Sequence, residues 1–460
     1  MGRPYAFQGA WSAAVYKDLR SRCVWEQRLI HSGIKSIPVH DAAQRETAGR
    51  ITAWECRLNA DGADGPAELL IVRLGSIDGR PVQVNHGSWH LWSVKLDLPK
   101  ELASADHGVS LASIHYWPVF ENGSYAPWPP LHNHHSLLLG LGSAQKARTA
   151  WIPGDIRAKE SHESFLQMYR TGTGSSGSDS MHVNSDSAGI HKFFPPGYAW
   201  LISDAFWASL LINDVRPRNA TSGSLPTWYE MGHRIFKPEW RPMMRETHIV
   251  SYYMKATQKW NVRRAGPRTP RGYINKTYET FALPIYHPSV YVREQAWPAA
   301  GRIVGETWHG HHHFTDEGFV FHGSLSAVLD TLGYKDATHA PVPLNGSLQS
   351  AKAAILRAVA ESQRLPDKSK HVRELCRYVP HRAMAVVEPG MLPQWYDRAA
   401  RPVGDRCLQG YQIQRGDVFS VACFNRAVVG SQELNTVQQP QQHCDWYARF
   451  APDTTHNTSK

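Results

Sequence analysis

Three observations predict an all-β sandwich fold: short apolar runs, their regular spacing, and the turn residues that separate them. Residues 69–74, 89–98, 111–120 and 135–140 are each rich in aliphatic, β-branched or aromatic side chains. Gly, Pro and Asn fall between them, and short runs at this spacing suggest antiparallel strands stacked as a sandwich. The composition agrees, since 35 Gly, 30 Pro and 17 Trp favour β-structure with many turns. A chain of 460 residues has length for two or three domains, each with a sizeable core.

In chain order, residues 1–65 mix amphipathic, helix-like segments with polar ones and carry Cys23 and Cys56. They are expected to form an N-terminal extension. Strand-like text begins at Glu68 with Leu-Leu-Ile-Val-Arg-Leu at 69–74. Residues 171–188 form a Gly/Ser-rich loop too polar to pack. A turn at Pro195-Pro196-Gly197 leads into an apolar run from Ala199 that ends at Asn213. Residues 236–275, rich in Arg, Pro and aromatics, read as the interdomain passage. The first sandwich is therefore placed at 66–240 and the second at 241–460. Strands resume at 281–286. Residues 347–364 have apolar positions at helical spacing, good helix formers and a stop at Pro366. They predict a helix within an insertion at 324–405. The block 411–425 reads as a turn feeding a strand, and no internal repeat is visible.

Composition excludes some functions. The formal charge is +10, but the basic residues, among them Arg263, Arg264, Arg268, Arg271 and Arg449, are dispersed. Dispersed charge is a solvated surface rather than a nucleic-acid footprint, so no nucleic-acid partner is expected. No stretch of about twenty apolar residues occurs, so no integral membrane segment is expected. The N-terminus lacks the apolar core of a signal peptide. Yet the chain has six cysteines and five Asn-x-Ser/Thr patterns, at Asn122, Asn219, Asn275, Asn345 and Asn457, as a disulfide-bonded glycoprotein would. Either these patterns are accidental in a cytosolic protein, or the sequence is a piece lacking its leader.

The chemistry concentrates in histidine clusters. Within Gly305-Glu-Thr-Trp-His-Gly-His-His-His, four histidines stand at 309, 311, 312 and 313. On an extended strand His309, His311 and His313 share one face and His312 takes the other. Two neutral imidazoles on one face can reach a single metal ion. A polar, water-facing strand is the alternative, and the clustering favours metal. A second cluster, His132-Asn-His134-His135, opens a strand. There His134 and His135 face opposite sides unless a bulge redirects one. The third item is His443-Cys444-Asp-Trp-Tyr447, with Cys423 upstream. A Cys423–Cys444 disulfide would pin their two strands in an oxidising compartment and hold His443 firmly; otherwise both are buried thiols.

In this order these features resemble the copper type II, ascorbate-dependent monooxygenases, the family of dopamine β-hydroxylase and the peptidylglycine hydroxylating enzyme. The matches are the His134-His135 pair before a short apolar strand, the His309-Gly-His311 pair, the segment from Gly416-Asp417 through Cys423 to Asn425, and Cys444 with Tyr447 at the end. They cover roughly residues 110–215 and 280–450. The resemblance implies two jelly-roll-like antiparallel β-sandwich domains and a secreted oxidoreductase. Its cofactor would be copper, its reductant ascorbate, its co-substrate dioxygen, and its substrate a small molecule or a peptide. It implies that His134 and His135 bind an electron-transfer copper, and that His309, His311 and His443 hold the copper where a C–H bond is hydroxylated. It further implies that Tyr447 contacts substrate and that Cys423 and Cys444 are disulfide-bonded.

Two departures stand out. The family's ligand methionine is replaced by His443, which favours Cu(II) over Cu(I). The family's third ligand at the first copper falls on Asn213, with His132, His182 or His191 as possible substitutes. The insertion at 324–405 is also longer than the family carries.

A different architecture competes. Gly305-x₅-His311-x-His313-x₃-Glu317-x₅-Gly323 nearly spells the first metal motif of the cupins, which hold iron or manganese. Against it, Gly416-Asp417 is followed by Cys423 where a cupin has histidine, and residues 132–135 are left unexplained. A third reading is a copper-binding homologue without catalysis.

Overall fold

A computed structural model of the chain describes residues 13–38, 45–75, 82–84, 88–105, 108–127, 130–140, 180–182, 190–203, 205–214, 223, 225–243, 245–246, 248–257, 287–297, 300–311, 315–338, 341–380, 397–398, 400–402, 408, 410–426 and 441–453. For some strand positions, including 31–38, 88–93, 132–140, 307–311 and 441–445, the description is of the backbone. The chain is all-β as predicted. It divides into two compact units, with the boundary between His248 and Ile249. Among the described residues no helix is long and apolar enough to cross a membrane.

The first unit is one sheet of thirteen strands. In chain order its elements are α1 (Ala13–Ser21), β1 (Glu26–Pro38), β2 (Arg45–Asn59), β3 (Ala67–Leu74), β4 (Val82–Val84), β5 (Ser88–Asp97), β6 (Gly108–Val119), β7 (Leu131–Gly140), β8 (Ser180–His182), β9 (Ile190–Phe193), β10 (Tyr198–Ser203), β11 (Ala205–Asp214), β12 (Leu225–Phe236) and β13 (Arg245–Glu246). The strand order is β13-β10-β6-β12-β3-β2-β1-β5-β11-β7-β8, with β4 on β12 and β9 on β6. Neighbours are antiparallel except β10 and β13.

Residues 1–65 are not a separate extension. Strands β1 and β2 lie between β3 and β5 in the sheet, and a disulfide joins Cys23 to Cys56 on β2. Helix α1 is tied to β12 by a buried charge network. Glu230 is fully buried and accepts from Arg20 Nε at 2.5 Å, Tyr16 OH at 3.1 Å and Arg73 Nη2 at 3.1 Å. A buried carboxylate needs such partners to offset its lost hydration. The Tyr16 ring crosses Gly232 so closely that a Cβ there would lie 2.4 Å from it, so the helix docks only because this position is glycine.

The second unit packs two sheets and two helices. Its elements are β14 (His248–Thr257), β15 (Ser289–Ala296), β16 (Gly301–His311), β17 (Thr315–His322), α2 (Leu325–Thr331), β18 (Val342–Pro343), α3 (Leu348–Ser362), β19 (Arg373–Pro380), β20 (Asp397–Arg398), β21 (Ala400–Pro402), β22 (Gln412–Ile413), β23 (Val418–Asn425) and β24 (Gln441–Pro452). One sheet runs β14-β24-β16-β20 with β22 on β16, and the other β18-β15-β23-β17-β19-β21. Trp297, Ile303, Phe419, Val421, Trp446 and Phe450 fill the space between them. On the outer face of the six-stranded sheet, Phe321 and Phe424 pack with Leu329, Ile355 and Val359 of the helices. The predicted helix is α3, started by Ser347, whose side chain accepts from Ser350 N.

Two expectations change here. The segment 324–405 is not a helical insertion beside the sandwich, because β18, β19 and β21 are strands of one sheet and β20 of the other. Residues 305–323 are not one extended strand, because β16 ends at His311 and β17 starts at Thr315 in the opposite sheet. His312 and His313 lie outside the described residues, as do the strand expected at 281–286 and most of the passage after Thr257.

Candidate metal centre

Antiparallel pairing sets residues directly opposite one another on the same side of a sheet. Strands β16 and β24 pair Thr307 with Tyr447, Trp308 with Trp446, His309 with Asp445 and Gly310 with Cys444. Trp446, Ala448 and Phe450 are buried in the core between the sheets, so the even-numbered positions of β24 belong to that side. Residues 443, 445 and 447 therefore belong to the outer side, together with 307, 309 and 311. His309, His311 and His443, distant in sequence, thus occupy one side of two adjacent strands, with Tyr447 on the same side. His311 is also paired with Asp397 on β20.

The core side of this ladder is well anchored. Glu306, three residues before His309, accepts from Tyr378 OH at 2.5 Å, Leu408 N at 3.2 Å and Trp446 Nε1 at 3.4 Å. Burial pushes its carboxyl pKa up, and these hydrogen bonds pull the other way. Trp446 Nε1 also donates to Tyr378 OH at 3.2 Å. The histidine-bearing strands are therefore held from behind by a satisfied polar network rather than by apolar packing alone.

Glu317 does not join the histidines, which corrects the cupin alternative. It sits on β17 in the other sheet, and its carboxylate is ion-paired with Lys352 Nζ at 2.5 Å and with Arg377. Two cations already neutralise it, so it is a structural anion rather than a metal ligand.

In the first unit the pairing of β11 with β7 matches Leu211 with His135, Ile212 with Asn133, Asn213 with His132 and Asp214 with Leu131. The register shifts between Leu211 and Ile212. His134 is the extra residue, so His134 and His135 together oppose Leu211. This is the bulge that the adjacent pair requires if both are to serve one side. Strand β8 pairs His182 with His135. Asn213, at the position expected for a third ligand, pairs with Trp89 as well as His132. His191 pairs instead with His115 on β6.

Cys376 and Cys423 are disulfide-bonded, to cysteines outside those described. Strands β23 and β24 are not lateral neighbours but belong to different sheets. A Cys423–Cys444 bond would therefore join the two sheets across the core. Of the glycosylation patterns, Asn122 and Asn345 are exposed, and Asn219, Asn275 and Asn457 lie outside the described residues.

As donors, clustered neutral imidazoles fit copper. Among the described residues no group of three His, Cys, Asp or Glu could hold a metal ion; the side chains at 134, 135, 309, 311 and 443 are not among those described. Asp445 was within the quoted motif but carried no assigned role. Its signal is the two-residue step from His443, which puts both on one side of a strand.

No protein-family model matches the chain, and no curated protein matches it. Two solved structures show a slight likeness. One is VP54 of PBCV-1 fitted into a reconstruction of the virophage Sputnik, 7% identical over 93% of each chain with a TM-score of 0.25. The other is the PBCV-1 virus capsid, 9% identical over 84% of this chain and 95% of that one with a TM-score of 0.21. Likenesses of this size carry no argument about the chain.

Proposed function

We propose that the protein is a copper-dependent monooxygenase that hydroxylates a C–H bond using dioxygen and a reductant such as ascorbate. The observation that carries this reading is the β16–β24 register, in which His309 faces Asp445 and His443 follows on the same side. Copper held there would supply the chemistry of dioxygen activation. His309, His311 and His443 are its ligands, and His443 in place of a thioether favours the oxidised ion. Tyr447, on the same side, contacts a small-molecule or peptide substrate. His134 and His135, brought together by the β7 bulge, bind the copper that receives electrons from the reductant. A Cys423–Cys444 disulfide behind His443 would fix the last strand, and such bonds persist in an oxidising, secretory compartment.

The test is metal analysis of untagged protein together with ascorbate-driven oxygen consumption. Copper is expected, with occupancy lowered in His309→Ala and unchanged in Glu317→Gln. Iron or manganese lost in Glu317→Gln would overturn the reading in favour of a cupin-type site. Asn213 favours a second reading, a copper-binding homologue without catalysis. Bound copper with no ascorbate-driven oxygen consumption across broad substrates would select it.

A further inference from the structure

We propose that His182 completes the first metal set with His134 and His135, supplying the third imidazole where Asn213 supplies none; this rests on the copper reading above. The pairing of β7 with β8 sets His182 directly opposite His135. Directly opposed residues have Cβ atoms about 5 Å apart. That separation suits two imidazoles converging on one ion at roughly 2 Å from each nitrogen. The bulge opposite Leu211 adds His134 to the same side.

The alternatives fit less well. Asn213 offers a neutral amide, a weaker donor to copper than imidazole. It is paired with His132, three residues along the strand from His135, on the order of 10 Å away. His191 is paired on β6 rather than on a neighbour of β7. On the other side of these strands, Leu131, Ile212 and Asp214 are fully buried. The histidine positions therefore share the side away from that core. Strand β8 is three residues long and pairs with β7 at the end of the sheet. The third ligand has thus moved from the inner neighbour of β7 to the outer one.

The experiment uses full-length protein carrying His309→Ala and His311→Ala, so that bound metal reports the first set. It is titrated with Cu(II), and coordinated imidazoles are counted by pulsed electron paramagnetic resonance. Three imidazoles are expected. Adding His182→Ala should leave two and weaken binding about tenfold or more, whereas adding Asn213→Ala or His132→Ala should leave three. A further Asn213→His in the His182→Ala background should restore the third, which separates loss of a ligand from loss of the fold. An unchanged count in His182→Ala, or a loss in His132→Ala, overturns the proposal while leaving the monooxygenase reading intact. A count that falls with His182→Ala, in a protein whose unmutated form consumes no oxygen, supports His182 and removes the monooxygenase reading instead.

Discussion

In the second unit, the histidine positions follow from an unbroken stretch of ladder. From Gly305 to Gly310 every residue of β16 has its partner on β24, and the core side is held by Trp446, Glu306 and Tyr378. In the first unit they follow from a defect, the shift between Leu211 and Ile212, and from a three-residue strand at the end of the sheet. One set is placed by regular pairing between distant segments. The other needs an irregularity, because adjacent residues on a regular strand cannot serve the same side. The second set should therefore be the more rigid and the tighter binder, with its scaffold as the point of failure. The first should depend on its local bulge and on β8.

The largest effect expected is at that scaffold. Trp446 is fully buried, stacks edge-on against Trp297 with ring centroids 6.4 Å apart, and donates to Tyr378. Trp446→Ala should cost about 3–5 kcal/mol. It should weaken copper binding at the second set and leave the first set unaffected. Urea denaturation with metal titration of each set measures both. Equal loss at the two sets would break the comparison, since the ladders would then not be separate scaffolds.

Local pattern revealed some of this and hid the rest. Strands β3, β5, β6 and β7 and helix α3 were legible because their apolar periodicity is local. The apolar run from Ala199 to Asn213 was legible as β-structure but not as two strands, β10 and β11. Strands β1 and β2 were not legible. Their charged residues are spent on the sheet, as where Arg28 bonds Glu55 at 2.6 Å, and such pairing blurs alternation. The histidine motifs marked the candidate sites, and spacing gave the shared side of His309 and His311. Spacing failed for Glu317, because its facing argument assumed a strand that ends at His311. The His135–His182 and His309–Asp445 pairings join segments remote in sequence, so no local signal could carry them.

A smaller effect distinguishes the candidate ligands from a histidine of the core. His233 is fully buried in the first unit, and Tyr116 OH lies 2.6 Å from its Nε2. Burial pushes its pKa down to about 3. The folded state keeps it neutral while the unfolded chain protonates it below about pH 6.5. Its contribution to stability is therefore fully present above pH 6.5 and is lost as pH falls toward 3, by on the order of 1.4 kcal/mol per unit. Metal-free protein should lose about 2 kcal/mol between pH 7 and pH 5 from this group. His233→Gln should flatten that part of the profile. An unchanged slope in urea denaturation of the variant would assign the acid sensitivity to other groups and dissolve the contrast.

The smallest effect concerns what each histidine set has beside it. The residue opposite His309 is Asp445, and the residue opposite His311 on β20 is Asp397. In the first set the corresponding partners are Leu211 and His182. A carboxylate beside a ligating imidazole orients the ring and raises its basicity, and its loss costs about 10–100-fold in metal affinity. Asp445→Asn should fall near the low end, about tenfold at the second set, because His311 retains Asp397 as its partner. The first set should not change, and the variant's unfolding midpoint should stay close to that of the unmutated protein. Copper titration of the two sets in this variant checks the difference. If the second set instead loses its metal outright, Asp445 is a ligand itself, and the ladder supplies a mixed histidine–carboxylate site rather than three imidazoles.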